Sequence, residues 1–441
     1  MTSRGSARRS DPVLIAPLRN FLRTESAGGV VLIVAALVAL VWANSPWKAS
    51  YEDLWHTRLA ISLGDRSLDL DLREWVNDGL MAIFFFVVGL EIKRELVEGE
   101  LRGARRAALP AFAALGGMVV PALIYAAINA GGEGARGWGI PMATDIAVAV
   151  GVVTLLGSRV PASLKLFLLA LAIVDDIGAI AVIAIFYSRD LDVDSLLIAA
   201  GLFAVLVLLR VARVKSTLLP LALGVGLWLA LEASGVHATI AGVLLALLAP
   251  TRPKIQRELV EESVLADLSS ARAARETASL ARASVSVVEW LEHVLHPWSS
   301  FVIVPVFALA NAGVMISRDA VSDAASSRIA LGVLLGLVVG KLAGITAFTW
   351  LATRLRVGLL PDGATWRGIT GIAALAGIGF TVSIFVANLA FQDPTLRNEA
   401  LIAILAAAVV SSAIGAAVLS RCPPATVTHA EPEPAGVSTV D

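Results

Sequence analysis

Apolar runs of about 20 residues, long enough to cross a bilayer as a helix, recur twelve times along the chain. They fall at 28–44, 76–92, 107–130, 138–156, 162–187, 194–211, 217–232, 236–250, 297–316, 329–352, 366–391 and 398–420. The pattern predicts an all-α polytopic membrane protein of about twelve transmembrane helices, with both termini on one side. Two spans look broken. In the fourth, Gly137-Trp138-Gly139-Ile140-Pro141 runs into Asp145, and an interior proline removes a helix hydrogen bond and clashes with the preceding turn. In the eleventh, Gly368, Gly371, Gly377 and Gly379 precede Thr381 and Ser383. Interrupted segments at matching places in two halves point to a midplane transport site, although glycines also serve simply to let helices pack closely.

Two connections exceed turn length. Within 45–77, Leu59 to Leu70 partly alternates apolar and polar residues about Gly64-Asp65, predicting a small outer β-hairpin. A lone hairpin is marginal in water, so a second copy of the chain is its expected partner. The stretch 251–296 is rich in Ala, Glu, Arg and Ser and reads as a cytoplasmic loop that could lie on the bundle as an amphipathic helix. Residues 1–27 carry five arginines (Arg4, Arg8, Arg9, Arg19 and Arg23) and read as a cytoplasmic segment before a retained first helix with no small-residue cleavage site. The proline-containing stretch 421–441 reads as a disordered cytoplasmic tail. The transporter domain is then 28–420.

With 57% apolar and 16% charged residues and a mean hydropathy of +0.80, a soluble globule is excluded. Membrane lipid is the implied surroundings. The net charge of −1 leaves no basic surface for nucleic acid. Of the 35 Lys and Arg, 25 fall on the side holding the termini, nine on the other and Lys341 within a span, so both termini are expected in the cytoplasm. The single Cys422 excludes a disulfide framework and a cysteine metal cluster.

Three acids lie where lipid disfavours them. Asp175 and Asp176 sit midway along the fifth span and Asp145 within the fourth; at about 2.5–3.5 kcal/mol per ionised residue, together they would cost on the order of 10 kcal/mol. Lys341, within the tenth span, is a base in the same interior. A salt-bridge cluster that only fixes helix register would leave excess negative charge, so the default reading is an ion path. Adjacent helical residues point about 100° apart, so Asp175 and Asp176 need different partners, one meeting Lys341 and the other a water-filled cavity. Two carboxylates this close cannot both ionise cheaply and should titrate as a coupled pair. A bound Na+ would favour their charged forms and expel protons, which is the logic of antiport. Carboxylate and hydroxyl oxygens suit a hard ion, and Thr144 could add one. Burial disfavours the ammonium of Lys341, so it could release a proton when the pair loads sodium.

Asp78, Glu91 and Glu95 sit near the ends of the second span, as solvated end charges or as part of the path. His237 at the start of the eighth span, with Glu292, His293 and His296 at the start of the ninth, could form a pH-responsive cluster. An intramembrane aspartyl protease would place its aspartates on separate facing helices. A channel would need a continuous selective lining. A sodium-coupled solute symporter is the remaining alternative.

The segments Asn77-Asp78-Gly79-Leu80-Met81-Ala82, Val88-Gly89-Leu90-Glu91-Ile92-Lys93-Arg94-Glu95-Leu96, Pro141-Met142-Ala143-Thr144-Asp145-Ile146-Ala147, Ala172-Ile173-Val174-Asp175-Asp176-Ile177-Gly178-Ala179, Ser234-Gly235-Val236-His237-Ala238-Thr239 and Pro305-Val306-Phe307-Ala308-Leu309-Ala310-Asn311-Ala312-Gly313 closely resemble the NhaA family of bacterial sodium/proton antiporters. The resemblance runs from about Phe21 to Ser420. It implies inverted repeats, an established feature of that family, and two broken helices crossing at Thr144 and Asp145, with Asp145 balancing the half-helix dipoles. It also implies that Asp176 is the main sodium carboxylate, that Asp175 exchanges protons and pairs with Lys341, and that Asp78 lies in a funnel. Electrogenic, pH-activated exchange of Na+ or Li+ for H+ across the bacterial inner membrane would follow, without enzymatic activity or a cofactor. Glu91, Glu95, Glu292, His293 and His296 match positions tied to pH activation, and the outer hairpin matches a dimer contact. The 251–296 loop and the tail depart from the family pattern.

Overall fold

A computed structural model of the chain describes residues 15–63, 66–188, 190–212, 214, 218–251 and 285–422. Backbone polar groups in hydrocarbon must be satisfied internally, so an apolar run crosses lipid as a helix. Each of the twelve runs is a helix or a helix pair bent at a break. Among the described residues, Thr24–Ala43, Ala107–Asn129, Ala162–Phe186, Val193–Val211, Val287–Asn311, Arg328–Arg354 and Pro394–Leu419 are single helices long and apolar enough to cross a bilayer. The fourth and eleventh spans are bent pairs, Glu133–Met142 with Ile146–Leu155 and Trp366–Leu375 with Phe380–Ala390, each turned by 45°. Leu218–Ala233 and Thr239–Leu248 are shorter apolar helices. The second span joins a π segment, Trp75–Leu80, to the helix Met81–Val97, whose last turns carry Glu91, Lys93, Arg94 and Glu95.

Two spans begin earlier than their apolar runs. The first helix starts at Ile15, not at 28; Pro17 falls in its first turn, where a missing N–H costs nothing, and Glu25 is buried against His296 instead of standing in water. The ninth starts at Val287 rather than 297: Ser286 accepts a capping hydrogen bond from Glu289 N, and the helix passes Pro297 by widening into a π segment at Ser299–Ile303, a usual accommodation of a local misfit. The end of the supposed cytoplasmic loop is therefore span. The rest of that loop, 252–284, the turn residues Gly64 and Asp65, and the tail from 423 lie outside the described residues.

The hairpin is present, with β1 (Arg58–Leu63) antiparallel to β2 (Arg66–Asp71) and Leu59 opposite Leu70, Ile61 opposite Leu68. Trp75 Nε1 donates to Leu59 O at 2.9 Å, and an Asp71/Glu74 capping box turns the chain from β2 into the second span. Leu59 and Ile61 remain exposed at 48% and 57%. Beside the sheet, the helix Lys48–Trp55 buries Tyr51, whose hydroxyl lies 2.8 Å from Leu309 O and 3.0 Å from Ala310 O and donates to one of them at a time. Burial pushes that hydroxyl up to about 12 and keeps it a donor.

Small residues set the helix contacts. The third and tenth spans touch backbone to backbone at Gly116 and Gly344, where a Cβ on either would collide with the other's carbonyl oxygen. The second and eighth spans meet in the same way at Gly242 and Ala82 O. Such close approach is how helices gain van der Waals energy in lipid. Gly344→Ala should therefore destabilise the bundle by about 1–3 kcal/mol, the usual cost of overpacking. Thermal melting of the purified variant in detergent checks this; an unchanged melting temperature would mean that the two spans separate freely.

Candidate ion-binding site

The fourth span narrows to a 3-10 segment, Glu133–Met142, extends through Ala143, Thr144 and Asp145, and resumes as a helix at Ile146. Asp145 is the N-cap of that helix, its Oδ1 accepting from Val148 N at 3.0 Å. Its Oδ2 accepts from both Thr381 N (3.1 Å) and Thr381 Oγ1 (2.7 Å), in the first turn of the second half of the eleventh span. One carboxylate therefore caps two half-helices from two spans. Further bonds hold the breaks together: Asp145 N donates to Ile378 O at 2.6 Å and Ser383 Oγ to Ile140 O at 2.8 Å. Gly377 and Gly379 lie in the break because a Cβ at Gly377 would strike Leu337 O, and one at Gly379 would sit 3.0 Å from Ala143 O.

The fifth span brings Asp175 and Asp176 to this crossing. Lys341, fully buried, follows a π segment at Gly336–Gly340 in the tenth span, and its Nζ donates to Asp175 Oδ2 at 2.5 Å and to Thr144 Oγ1 at 3.0 Å. Thr144 Oγ1 lies 2.7 Å from Asp175 Oδ2 and 2.9 Å from Ala376 O. A hydroxyl has one proton, so it donates to one of these acceptors at a time. Asp175 Oδ1 is buried without a partner. Among the described residues no hydrogen bond or ion pair reaches Asp176, which lines a pocket of about 60 Å³ together with Asp145, Thr144, Glu91, Glu25 and His296. The expected division is observed: one acid meets the lysine and its neighbour faces the cavity.

The residues read as a pH-responsive cluster separate. Glu292 is ion-paired to Arg94, which also reaches Glu95 at 3.5 Å; His296 Nε2 lies 3.6 Å from Glu91 Oε1 and 2.6 Å from Glu25 Oε1. His293 is exposed, turned away from this group. His237 is not part of it: its Nε2 sits 3.0 Å from Tyr187 O, and its ring lines a second cavity of about 810 Å³ beside the hairpin, along with Asp78, Glu232, Arg73 and Arg397. The sequence order that set the two histidines at starts of adjacent spans placed them at opposite ends of the bundle, because successive spans run antiparallel. Glu25 is the residue that sequence reasoning missed. Its signal was position: it stands only three residues before Gly28, in register with the first helix.

Two crossing broken helices around a carboxylate pair and a buried lysine define a multi-pass membrane protein built as an ion transporter. The chain belongs to the Na+/H+ antiporter 1 family, whose profile matches residues 19–419. It is 46% identical over 424 residues to a protein named Na(+)/H(+) antiporter NhaA from Oleidesulfovibrio alaskensis, covering 92% of this chain and 94% of that one. A protein named Na(+)/H(+) antiporter NhaA 2 from Sorangium cellulosum is 48% identical over 427 residues, covering 93% and 91%. Another of that name from Myxococcus xanthus is 46% identical over 420 residues, covering 92% and 89%. The family is one of transporters, not of enzymes.

The Thr381 hydroxyl binds a carboxylate, a bond worth about 1.5–3 kcal/mol. Thr381→Val keeps the N–H but loses that bond, so it should lower the melting temperature, whereas Thr381→Ser should restore it. Equal melting of all three proteins would show that the N–H alone holds the crossing.

Proposed function

We propose that this chain exchanges intracellular Na+ for external H+ by alternating access across the bacterial inner membrane. The observation that carries the reading is the Asp176 carboxylate, without a partner among the described residues, in its small pocket next to an Asp175 already held by Lys341. A buried carboxylate with no partner is stable only when protonated or beside a cation. Those are the two cargoes. Na+ entering the pocket meets Asp176 and can recruit Asp175 Oδ1, the oxygen that no other group holds. As Asp175 turns toward the cation, the ammonium of Lys341 loses its counter-charge and releases a proton, with Thr144 bridging the exchange. The reverse sequence on the opposite side loads protons and frees Na+. Because Lys341 and a protonated Asp176 each release a proton when one Na+ binds, two protons exchange for one cation and the cycle moves net charge. Li+, also a hard ion, suits the same oxygens.

The Lys/Arg asymmetry supports cytoplasmic termini. On that face Glu95 and Glu292, held by Arg94, and Glu25 and Glu91, held by His296, are with His296 the groups whose protonation would set activity with pH. His237 and Asp78, which both line the wide cavity, then belong to the path on the periplasmic face. His293 retains only its sequence position in support of a pH role. The exposed aliphatic face of the hairpin supports a homodimer built by pairing hairpins. No cofactor is needed. A solute symporter has no observation in its favour.

In proteoliposomes with a preset pH gradient, Na+ or Li+ should drive proton flux that falls to background in Asp176→Asn, while melting stays unchanged. Full flux in a folded Asp176→Asn protein would sink the assignment. Deleting 58–71 should leave monomers in detergent by light scattering; a dimer that survives would place the contact elsewhere.

A further inference from the structure

The wide cavity on the hairpin side is lined by three asparagines that the candidate ion site does not use. Asn311 Nδ2 donates to Asn77 Oδ1 at 2.8 Å, and Asn388 Nδ2 donates to Asn311 Oδ1 at 2.8 Å. Asn311 Nδ2 also reaches Phe307 O at 3.0 Å, which fixes the central amide to its own helix. This chain of amides ties the second, ninth and eleventh spans, far apart in sequence. All three side chains line the cavity.

Behind them stands a dry plug. Phe385 contacts Phe85 and Phe307 at ring-centroid distances of 5.4 and 6.3 Å, and all three are at most 3% exposed. Beyond the plug, Phe84, Val304 and Val382 line the small pocket that holds Asp176. Two helices repeat this order: Val304, Phe307 and Asn311 in the ninth span, and Val382, Phe385 and Asn388 in the eleventh. At 1.5 Å per residue, Val382 to Asn388 spans about 9 Å. Fewer than two helical turns therefore separate a water-filled cavity from the candidate ion site.

We propose that Asn77, Asn311 and Asn388 form the latch of the periplasmic gate, holding the three spans together so that the phenylalanines seal the ion site. The division of labour follows from the chemistry. Aromatic rings exclude water and ions but have no directional hold, since lipid and other apolar groups satisfy them equally well. Amide pairs are directional, and they face a cavity where water can replace each bond as it breaks. The latch is strong enough to favour the closed state and weak enough to open without help. A charged latch at this place would compete with the cargo; neutral amides do not. The inference rests on the exchanger reading for its purpose, but the gate is tested without transport.

In a Cys422→Ser background, Val382→Cys places a single thiol behind the plug. A membrane-impermeant methanethiosulfonate reagent, added from the hairpin side, reports how often the gate opens. Asn388→Ala and Asn77→Ala each remove a different link, and either should raise the labelling rate about five- to tenfold, the factor that losing one net hydrogen bond gives an opening equilibrium. Labelling from the opposite side should not rise. Unchanged labelling in both variants, with melting and elution like the parent, overturns the latch. If one variant fails to fold, the other decides. Because labelling needs neither Na+ nor a pH gradient, a protein with no exchange but asparagine-dependent labelling would refute the exchanger reading and leave the gate standing.

Discussion

A helix that breaks inside a bilayer leaves N–H groups that no water can satisfy, and the whole centre of this bundle is organised around answering that one demand. Asp145 answers it for two helices together. Each half-helix N-terminus carries roughly half a positive charge, so a single carboxylate between two of them is near electrical balance without a third partner. Its two oxygens divide the task, Oδ1 on Val148 N and Oδ2 on Thr381. Because the cap is shared, neither half-helix can turn without disturbing the other. The crossing thereby couples the fourth and eleventh spans, and the candidate ion site beside it inherits that coupling.

Once Asp145 is accounted for, the remaining buried charge is unbalanced by design of the sequence. Lys341 meets Asp175, and among the described residues no hydrogen bond or ion pair reaches Asp176. A structural ion pair would have ended with equal numbers of acids and bases, since breaking up a buried pair is costly. On the proposed reading, the surplus acid takes its one positive charge from a proton or from a hard cation. Stability and function here are set by the same quantity, the cost of an uncompensated carboxylate in lipid.

Much of this was legible because lipid makes polar residues conspicuous. Asp145, Asp175, Asp176 and Lys341 stand out in apolar runs, and Gly377, Gly379 and Pro141 mark the breaks by their backbone chemistry. What escaped has equally physical reasons. Glu25 lies ahead of the apolar run, and only the fold shows that its helix continues outward and buries it against His296. Pro297 read as a helix start, whereas the π segment after it lets the helix run through. His237 and His296 looked like members of one cluster, yet antiparallel spans carry them to opposite ends. The asparagine latch leaves no periodic trace, since its members are neutral, single and separated by 234 and 77 positions.

The contacts between spans fall into two kinds, and the difference suggests where motion is allowed. Gly116 against Gly344, and Gly242 against Ala82, bring backbones together with no side chain able to yield; Lys93 adds to the second pair by donating to Leu247 O and, at 2.5 Å, to Ala249 O, capping the eighth span from the second. These joints make the second and eighth spans one body and the third and tenth another. The asparagine chain on one side of the ion pocket and the His296–Glu25 contact on the other are of a different kind: pairs of side chains that water or a proton can replace. A close-packed interior is bistable rather than continuously deformable. A change that trades replaceable contacts at one end for those at the other, while the glycine joints stay closed, is the least costly way for such a bundle to present one carboxylate to both sides of the membrane.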